Sequence, residues 1–291
     1  MRCRFHGGTR RWATIDDEEE GDVSEKSAGR LHGRTAVVTG ASSGIGRAIA
    51  WRLAEAGAAT IVHAHRHPDD AAALGEEIRR AGGQATVEVA DLAKTSQLAP
   101  FVDRCWHWTG KVDIWVNNAG ADVLTGTAAE WSFAEKLNQL WEVDVRATIE
   151  LSLLAGARMR AAGGAIVNMG WDQAATGMEG DSGEMFAAVK GAVMAFTRSL
   201  AKSLAPHVRV NCVAPGWIRT KWGEHSSDYW QDRAVRESLR GRWGTPDDVA
   251  RAALFLVSPD ADFITGHILP VNGGQAGYMA GDAARPEQRR R

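Results

Sequence analysis

Short apolar runs rich in valine and isoleucine alternate along this chain with longer stretches whose apolar residues recur at helical spacing. Runs of this kind, several of them bounded by glycine, are typical of strands buried on both faces. The predicted strands cover residues 34–39, 60–63, 85–89, 113–116, 165–169, 208–213 and 267–271. The predicted helices between them include residues 46–56, 71–81, 137–161, 184–205 and 247–256.

The alternation of strands and helices predicts the fold class. We expect an α/β, Rossmann-like single domain in which seven parallel strands form a doubly wound sheet flanked by helices. Ligands of such sheets bind at the carboxyl ends of the strands. Both chain ends carry charge runs and few apolar residues, so we expect an N-terminal tail of residues 1–30, a domain of residues 31–276 and a C-terminal tail of residues 277–291.

Composition and charge narrow the classes of function. The 291 residues are 44% apolar and 24% charged with a net charge of −2, which indicates a soluble protein without attraction to nucleic acid or anionic membranes. Three scattered cysteines favour a reducing compartment over a disulfide framework. No apolar run reaches the roughly 20 residues that span a bilayer, and no signal peptide is recognisable, so we expect a cytoplasmic protein.

A glycine-rich loop joins the first predicted strand to the first predicted helix. Gly40, Gly44 and Gly46 follow an apolar run and open a helical stretch. Glycine allows a tight turn and close approach of the backbone to a pyrophosphate, while the helix start offers free N–H groups and a positive dipole end. This context predicts dinucleotide binding. The other candidate contacts in the loop are Ser42, Ser43 and Ile45.

The glycine spacing resembles that of the short-chain dehydrogenase/reductase family, and further motifs follow in that family's order. These motifs are residues 91–92, 117–120, 211–220, 242–249 and 271–274. The similarity covers about residues 31–275 and extends to 3-oxoacyl-acyl-carrier-protein reductase-like members. The cofactor contacts that the resemblance implies outside the glycine loop are Asp91, Leu92, Asn118, Ala119, Gly120, Lys190, Pro215, Gly216, Ile218 and Thr220.

The catalytic positions that the resemblance implies are altered in this chain. The family uses a tyrosine four residues before a lysine, a serine after the fifth strand and an asparagine in the preceding helix. Lys190 is present, and the resemblance implies that it binds the nicotinamide ribose. Phe186 stands at the tyrosine position, Trp171 (or Gly170 before it) at the serine position, and Asp144 at the asparagine position.

These changes disfavour ketone reduction by the family's mechanism. Loss of a positioned general acid lowers the rate by about 10²–10⁴, and loss of an oxyanion donor by about 10²–10³. A carboxyl group in an apolar pocket can serve as the acid instead. The candidate donors are Asp172 and Asp144, followed by Asp181, Glu184 and Tyr229. The alternative for each is a solvated, helix-capping or packing role.

Residues after the second predicted strand bear on the choice of cofactor. An acidic residue there binds the adenosine ribose hydroxyls and selects NAD. This chain has Ala64 followed by His65 and Arg66, whose basic groups suit a 2′-phosphate, so we expect NADP(H) with NAD less favoured. His63, His65 and His67 alternate. We interpret them as polar residues at the strand end and predict no metal site, although a metal site is the alternative.

Tryptophan is abundant, with twelve residues against two tyrosines. We expect a packing role in scaffold elements for Trp51, Trp106, Trp115 and Trp141. Near the expected substrate position lie Trp171, Trp217, Trp222 and Trp230. These four form either a flat pocket for an aromatic, conjugated or cationic small molecule, or core and subunit contacts. The stretches 141–161 and 186–204 resemble helices of the family's subunit interfaces, so we expect a homodimer or homotetramer.

Three hypotheses about function follow. The first is an NADP(H)-dependent oxidoreductase with an atypical active site, which reduces an activated carbonyl, imine or conjugated substrate with a carboxylate or water as proton source. The second is a non-catalytic NADP-binding protein that acts as a sensor or oligomer partner. The third is a redox-neutral enzyme that uses the same pocket for a cyclisation or elimination. Intact cofactor motifs beside altered acid positions favour the first.

Overall fold

The computed structural model describes residues 30–275. One sheet of seven parallel strands lies at its centre, in the order β3-β2-β1-β4-β5-β6-β7. The strands are β1 (Thr35–Val38), β2 (Ala59–Ala64), β3 (Ala85–Val89), β4 (Ile114–Asn117), β5 (Gly164–Met169), β6 (Val208–Pro215) and β7 (Ile268–Val271). The seven predicted strands and the doubly wound fold are confirmed. The predicted tails lie outside the described residues, apart from Arg30.

Helices cover both faces of the sheet. They are α1 (Gly44–Glu55), α2 (Pro68–Arg80), α3 (Thr95–Thr109), α4 (Phe133–Leu140), α5 (Ala147–Met159), α6 (Asp181–Leu204), α7 (Lys221–Glu224), α8 (Asp228–Glu237) and α9 (Pro246–Val257). The predicted helices 46–56, 71–81, 184–205 and 247–256 correspond to α1, α2, α6 and α9. Among residues 30–275, no helix has the length and apolar character that crossing a bilayer requires.

Neighbouring residues of each strand supply two separate cores, because side chains of a strand point alternately to opposite faces. Val38 packs with α1, α2 and α9 on one face, whereas Val37 packs with α3, α5 and α6 on the other. The second core contains fully buried Trp115 with Trp106 against it. The predicted packing roles of Trp51, Trp106 and Trp115 are confirmed.

The predicted helix 137–161 differs from the observed structure. Helix α4 begins earlier, after a capping box in which Ser132 and Glu135 bond each other's backbone N–H groups. A π-helical turn, Trp141–Arg146, then joins α4 to α5. Such turns rotate the following residues relative to a regular helix and occur often at functional sites. The packing role predicted for Trp141 is wrong, because its side chain lies on the outer surface of this turn and is 48% exposed.

A buried chain of polar side chains joins the sheet to α5 and α6. The Asn117 amide donates to Ser152 Oγ and to Asn168 Oδ1, both at 2.8 Å. The Asn168 amide in turn donates to Thr197 Oγ1 at 3.0 Å, and the Trp115 indole N–H donates to Asn117. Each buried group thus has a partner, which satisfies the main energetic requirement of polar groups in a core. This hydrogen-bond network fixes α5 and α6, and α6 carries part of the candidate site.

Candidate active site

The glycine loop after β1 has the geometry of a phosphate cradle. Gly40 and Gly44 adopt φ values of +62° and +54°, which side chains other than glycine rarely adopt. A Cβ on Gly46 would lie 2.2 Å from the Gly40 carbonyl oxygen and 2.3 Å from Asn118 Nδ2. Within residues 30–275, Ser43 gives α1 no side-chain cap and the first turn of α1 has no acidic residue. The free N–H groups and positive dipole of α1 therefore fit a pyrophosphate.

Asn118 and Thr39 fix the loop from the neighbouring strand. The Asn118 side-chain amide donates to the carbonyl oxygens of Thr39 and Gly40 at 3.0 and 3.1 Å. The backbone N–H groups of Asn118 and Ala119 both donate to Thr39 Oγ1. The predicted contacts Asn118 and Ala119 thus lie directly against the predicted loop, whereas Gly120 lies against the Asp144 carboxylate.

His63 fixes the loop from the other side. The Gly40 N–H donates to His63 Nδ1 at 3.0 Å, and Nε2 lies 3.1 Å from the Ala90 carbonyl oxygen. These partners select the neutral tautomer that carries its proton on Nε2. Burial lowers the pKa of His63 to about 4. His65 and His67 are exposed beyond the strand end.

The end of β6 approaches the loop from the opposite side. A Cβ on Gly44 would lie 3.6 Å from Thr220 Cγ2, so the structure brings these two predicted cofactor segments together. The Gly216 N–H donates to the Val271 carbonyl oxygen at 3.1 Å. Ile218 is buried, and its carbonyl oxygen accepts from the Thr220 N–H. The segment from Pro215 to Thr220 therefore forms the second wall of a cleft.

The predicted adenine side lies at the ends of β2 and β3. His65 and Arg66 are exposed directly after β2. His65 Nδ1 lies 3.7 Å from Asp91 Oδ1, and the Asp91 carboxylate accepts from the Ala93 N–H at 3.1 Å. The Leu92 side chain is buried in the core. Asp91 and the two basic residues therefore lie after the adjacent ends of β3 and β2.

Lys190 and Asp144 form an ion pair beneath the cleft. Lys190 Nζ lies 2.9 Å from Asp144 Oδ2, and only 2% of the Asp144 side chain is exposed. The other carboxylate oxygen accepts from the Ala121 N–H at 2.8 Å. The alternative of a helix-surface role for Asp144 is therefore wrong, because the π-helical turn directs this side chain inward.

Phe186 and Trp171 pack against each other above that pair. Their ring centroids are 6.3 Å apart at an interplanar angle of 66°, which is an edge-to-face contact. Phe186 also packs against the cluster that contains Met185 and Val189. The side of the cleft next to Lys190 therefore presents aromatic carbon, and the indole N–H of Trp171 is the polar group of this pair.

Asp172 is half-buried between Trp171 and the end of β6. Its Oδ2 accepts from the Asn272 amide at 3.0 Å, and its Oδ1 accepts from the Gln173 N–H at 2.8 Å. A Cβ on Gly216 would lie 3.0 Å from Oδ2, so the carboxyl group reaches the wall predicted to hold nicotinamide. Burial raises the pKa of Asp172, although both hydrogen bonds oppose this effect. The structure thus gives Asp172 the environment of a potential acid.

The remaining candidate donors lie farther out. Asp181 and Glu184 are exposed in the first turn of α6, where acidic residues stabilise the helix dipole. The Tyr229 hydroxyl accepts from Arg233 at 3.2 Å, and its ring packs edge-to-face on Trp230. The capping and packing roles considered for these residues agree with this placement.

Tryptophans over the cleft pack mainly on one another. Trp217, Trp222, Trp230 and Trp243, here called the indole cluster, lie with centroids 5.5 to 6.5 Å apart. Three of the four tryptophans predicted near the substrate belong to it, whereas Trp171 pairs with Phe186. Trp243 is the member that the sequence did not indicate.

Arg233 of α8 contacts both the indole cluster and two glutamates beside the cleft. Its guanidinium is nearly buried and bonds both carboxylate oxygens of Glu179, at 2.9 and 3.2 Å. It also donates to Glu237 at 2.6 Å and lies over the rings of Trp217 and Trp230. Burial alone would lower the pKa of Arg233, but the bonds to the two glutamates outweigh it and raise the pKa.

Sequence reasoning missed the polar residues that connect Asp172 with the indole cluster. Glu237 accepts from the Trp217 indole at 2.7 Å and from the Gln173 amide at 3.4 Å. Asn272 holds Asp172 from the end of β7. These residues come from distant segments and carry no local motif, so only the fold brings them together. The resemblance placed Asn272 within residues 271–274 but gave it no side-chain role.

Comparisons with known proteins agree with this geometry. The family model described as Enoyl-(Acyl carrier protein) reductase matches residues 40–276. The chain is 36% identical over 258 residues to a 3-oxoacyl-acyl-carrier-protein reductase of Vibrio harveyi, covering 86% of this chain and 99% of that protein. A 7α-hydroxysteroid dehydrogenase solved with NADH and 7-oxo glycochenodeoxycholic acid superposes with a TM-score of 0.78 at 33% identity, covering 86% of this chain and 97% of that one. A short-chain dehydrogenase of Burkholderia cenocepacia solved with NADP gives a TM-score of 0.77 at 33% identity, with coverages of 84% and 98%.

Proposed function

This chain belongs to the short-chain dehydrogenase/reductase family, and from that premise we propose that it is an NADP(H)-dependent oxidoreductase with an atypical active site. Its substrate is an activated carbonyl, imine or conjugated small molecule. The observation that carries the proposal is the cradle at the start of α1, where Gly46 leaves no space for a side chain. Structural relatives that bind NADP or NADH support a nicotinamide dinucleotide.

Preference for NADP(H) over NAD(H) rests on the end of β2. Ala64 ends the strand, and His65 and Arg66 are exposed directly after it. A guanidinium forms two parallel hydrogen bonds with a phosphate, which makes Arg66 the main candidate for binding the adenosine 2′-phosphate. Asp91 lies beside His65 on the proposed adenine side, where its carboxylate is also close to Lys94.

Lys190 holds the reducing end of the cofactor, and Asp144 fixes Lys190. The 2.9 Å ion pair orients the ammonium, whose remaining N–H groups can bond the nicotinamide ribose hydroxyls. When bound, the reduced cofactor supplies a hydride to an unsaturated carbon of the substrate. Phe186 and Trp171 bound the substrate side of this position with aromatic surface and exclude water from it.

Asp172 is the side chain that faces the reacting group. It reaches Gly216 on the nicotinamide wall, whereas the Asp144 carboxylate is already bonded to Lys190 and to the Ala121 N–H. In its protonated form Asp172 can give a proton to the reduced substrate, and in its ionised form it can stabilise a positive charge. Of the two carboxyl groups predicted from the sequence, Asp172 is therefore the proposed catalytic residue and Asp144 the positioning residue.

Calorimetric titration of the purified protein tests the cradle. We expect NADPH to bind, and Gly46→Ala to weaken binding by about 100-fold or more, because the added methyl group must displace Gly40 or Asn118. Gly191→Ala is the matched control, since a Cβ there meets nothing within 4 Å and should leave the dissociation constant unchanged. Unchanged NADPH affinity in a folded Gly46→Ala protein would contradict the proposal.

A second titration tests the choice of cofactor. We expect Arg66→Ala to weaken NADPH binding by about tenfold, because it removes a charge-assisted hydrogen bond to the 2′-phosphate. NADH lacks that phosphate, so its affinity should stay the same. Equal losses of affinity for NADPH and NADH would show that Arg66 does not bind the 2′-phosphate.

The second candidate function is NADP binding without catalysis. The contact between Phe186 and Trp171 favours it, because neither side chain can act as an acid in place of the tyrosine or serine that the family carries. It predicts cofactor affinity with no oxidation of NADPH by any activated substrate. A redox-neutral reaction, the third candidate, would instead give product while NADPH stays reduced.

A further inference from the structure

The cleft beside the proposed nicotinamide position combines aromatic surface with carboxylates. Trp171 and Phe186 provide the rings, at a centroid distance of 6.3 Å. The Asp172 carboxylate lies at Gly216 on the nicotinamide wall, and Asp144 is paired with Lys190 beneath the cleft. Aromatic faces and carboxylates both attract cations and both repel a developing negative charge. This combination is therefore unsuited to a reaction that forms an alkoxide.

In the described part of the chain, the negative charge of Asp172 is not compensated by a cationic side chain in this part of the site. The Lys190 ammonium is paired with Asp144, so its field is largely cancelled within the cleft. Arg233 is likewise paired, with Glu179 and Glu237. Asp172 has only neutral donors, the Asn272 amide and the Gln173 N–H, and among the described residues no cationic group lies within 4.0 Å of it. The nearby charge of Glu237 further raises the pKa of Asp172.

We infer that the substrate is a planar iminium ion whose positive charge lies against Asp172 and the rings of Trp171 and Phe186. This inference rests on the proposed function and narrows its substrate class. In the reaction, the iminium carbon gains the hydride, the π pair of the C=N bond moves to nitrogen, and the cofactor is oxidised. The product is a neutral amine, and no proton is transferred.

Iminium chemistry explains why the site can lack an acid. A ketone needs a proton at its oxygen as the hydride arrives, so replacing the acid by phenylalanine removes a required group. An iminium ion already carries the positive charge that the acid would create. Asp172 then acts as an ionised counterion, and a bound cation favours that ionised form. An acid role and a counterion role for Asp172 predict opposite pH dependences of turnover.

Binding of a non-reacting cation tests the inference without turnover. The probes are N-methylisoquinolinium, a planar cation, and 2-methylnaphthalene, its neutral counterpart of the same shape, titrated calorimetrically into the protein saturated with NADP⁺. We expect the cation to bind at least about tenfold more tightly. Asp172→Asn should remove about tenfold of the cation's affinity. Asp181→Asn, the same change at an exposed carboxylate of α6, should not alter it. Equal binding of both probes overturns the inference.

Turnover separates this inference from the proposed function. NADPH oxidation is followed with N-methyl-3,4-dihydroisoquinolinium and with 1-tetralone, a ketone of matching shape, after subtraction of the protein-free rate. We expect kcat/KM for the iminium ion to exceed that for the ketone by about 100-fold or more, in line with the loss of a general acid. Its value should rise with pH as Asp172 ionises and fall in Asp172→Asn.

Two other outcomes of the turnover assay separate failure of the iminium inference from failure of the proposed function. If the ketone is reduced as fast as the iminium ion, the iminium inference is wrong while the oxidoreductase function stands, and the Trp171 indole N–H becomes the donor to oxygen. If NADPH binds but neither substrate oxidises it, both the proposed function and the inference fail. Phe186→Tyr with Trp171→Ser should raise ketone reduction without raising iminium reduction, because it adds an acid that only the ketone needs.

Discussion

At the scale of single residues, His63 shows how a buried side chain makes the conformation of the glycine loop depend on pH. Both ring nitrogens are bonded, to the Gly40 N–H and the Ala90 carbonyl oxygen, and a proton added to Nδ1 would break the first bond. Burial therefore lowers the pKa of His63 from 6.5 to about 4. The loop conformation depends on this histidine remaining neutral.

The stabilising contribution of His63 to the folded state decreases as the pH falls. The pKa of His63 is lower in the folded protein than in the unfolded chain. Between pH 6.5 and about 4, the unfolded state therefore binds more protons than the folded state. The His63 contribution is complete above pH 6.5 and is lost as the pH falls toward 4. We expect the free energy of unfolding, measured with urea, to fall by up to about 3 kcal/mol over this window through His63 alone.

His63→Gln provides the comparison. Glutamine can accept from Gly40 and donate to Ala90 but does not titrate, so the variant should show a smaller loss of stability over the same pH window. Its stability at pH 7 should be lower by about 1–2 kcal/mol, because the ring contact with Phe101 is lost. Parallel pH profiles for the two proteins would rule out His63 as the titrating group.

At the scale of elements, Arg233 links α8 to the rest of the domain. Arg233 joins it to Glu179 before α6 and lies over Trp217 after β6. Glu237 at the end of the same helix bonds the Trp217 indole. The helix therefore depends on a buried polar centre with aromatic rings around it, in contrast to the apolar faces of α1 and α9.

Loss of the Arg233 guanidinium should release this helix without unfolding the sheet. In Arg233→Met, Glu179 and Glu237 lose their hydrogen bonds to the guanidinium, so we expect amide hydrogen exchange across residues 221–239 to quicken by about tenfold or more. Exchange in β1, β4 and β5 should not change. Lys221→Met is the control, because it removes an exposed cation from the same segment. Uniformly faster exchange throughout the protein would indicate global destabilisation instead.

Local pattern predicted the elements of this fold but not the connections between them. Valine-rich runs and glycine turns suffice for β1 to β7, since buried parallel strands have a strong local signal. The π-helical turn at Trp141–Arg146 has no such signal, and it decides that Asp144 points inward while Trp141 is exposed. Lys190 and Asp144 were both candidates, and the tertiary structure shows that they are paired. The environment of Asp172 depends on Asn272, a hundred residues away.

At the scale of the whole molecule, exposed apolar side chains on the α4–α5 helix bear on assembly. Trp141 and Leu153 are 48% and 51% exposed. Large apolar groups exposed on one helical element often mark subunit interfaces. We propose that this helix forms a contact between copies of the chain, which gives a homodimer or homotetramer.

Light scattering after size-exclusion chromatography tests this assembly. We expect the mass of two or four chains for the unaltered protein. Trp141→Arg combined with Leu153→Arg should shift the mass toward one chain, because two charges cannot be buried in an apolar contact without a partner. Val89→Arg, at an equally exposed position at the end of β3, should leave the mass unchanged. A single-chain mass for the unaltered protein would exclude the proposal.

The indole cluster has an optical consequence. Rings whose centroids lie 5.5 to 6.5 Å apart share their electronic excitation, as the nearly parallel Trp217 and Trp222 rings should do most strongly. Such coupling splits the ultraviolet circular-dichroism band of indole, and the splitting depends on the distance and angle between the rings. Because Trp217 precedes α7, Trp222 belongs to α7 and Trp230 belongs to α8, the spectrum of the resting protein itself reports whether the wall over the cleft is in place.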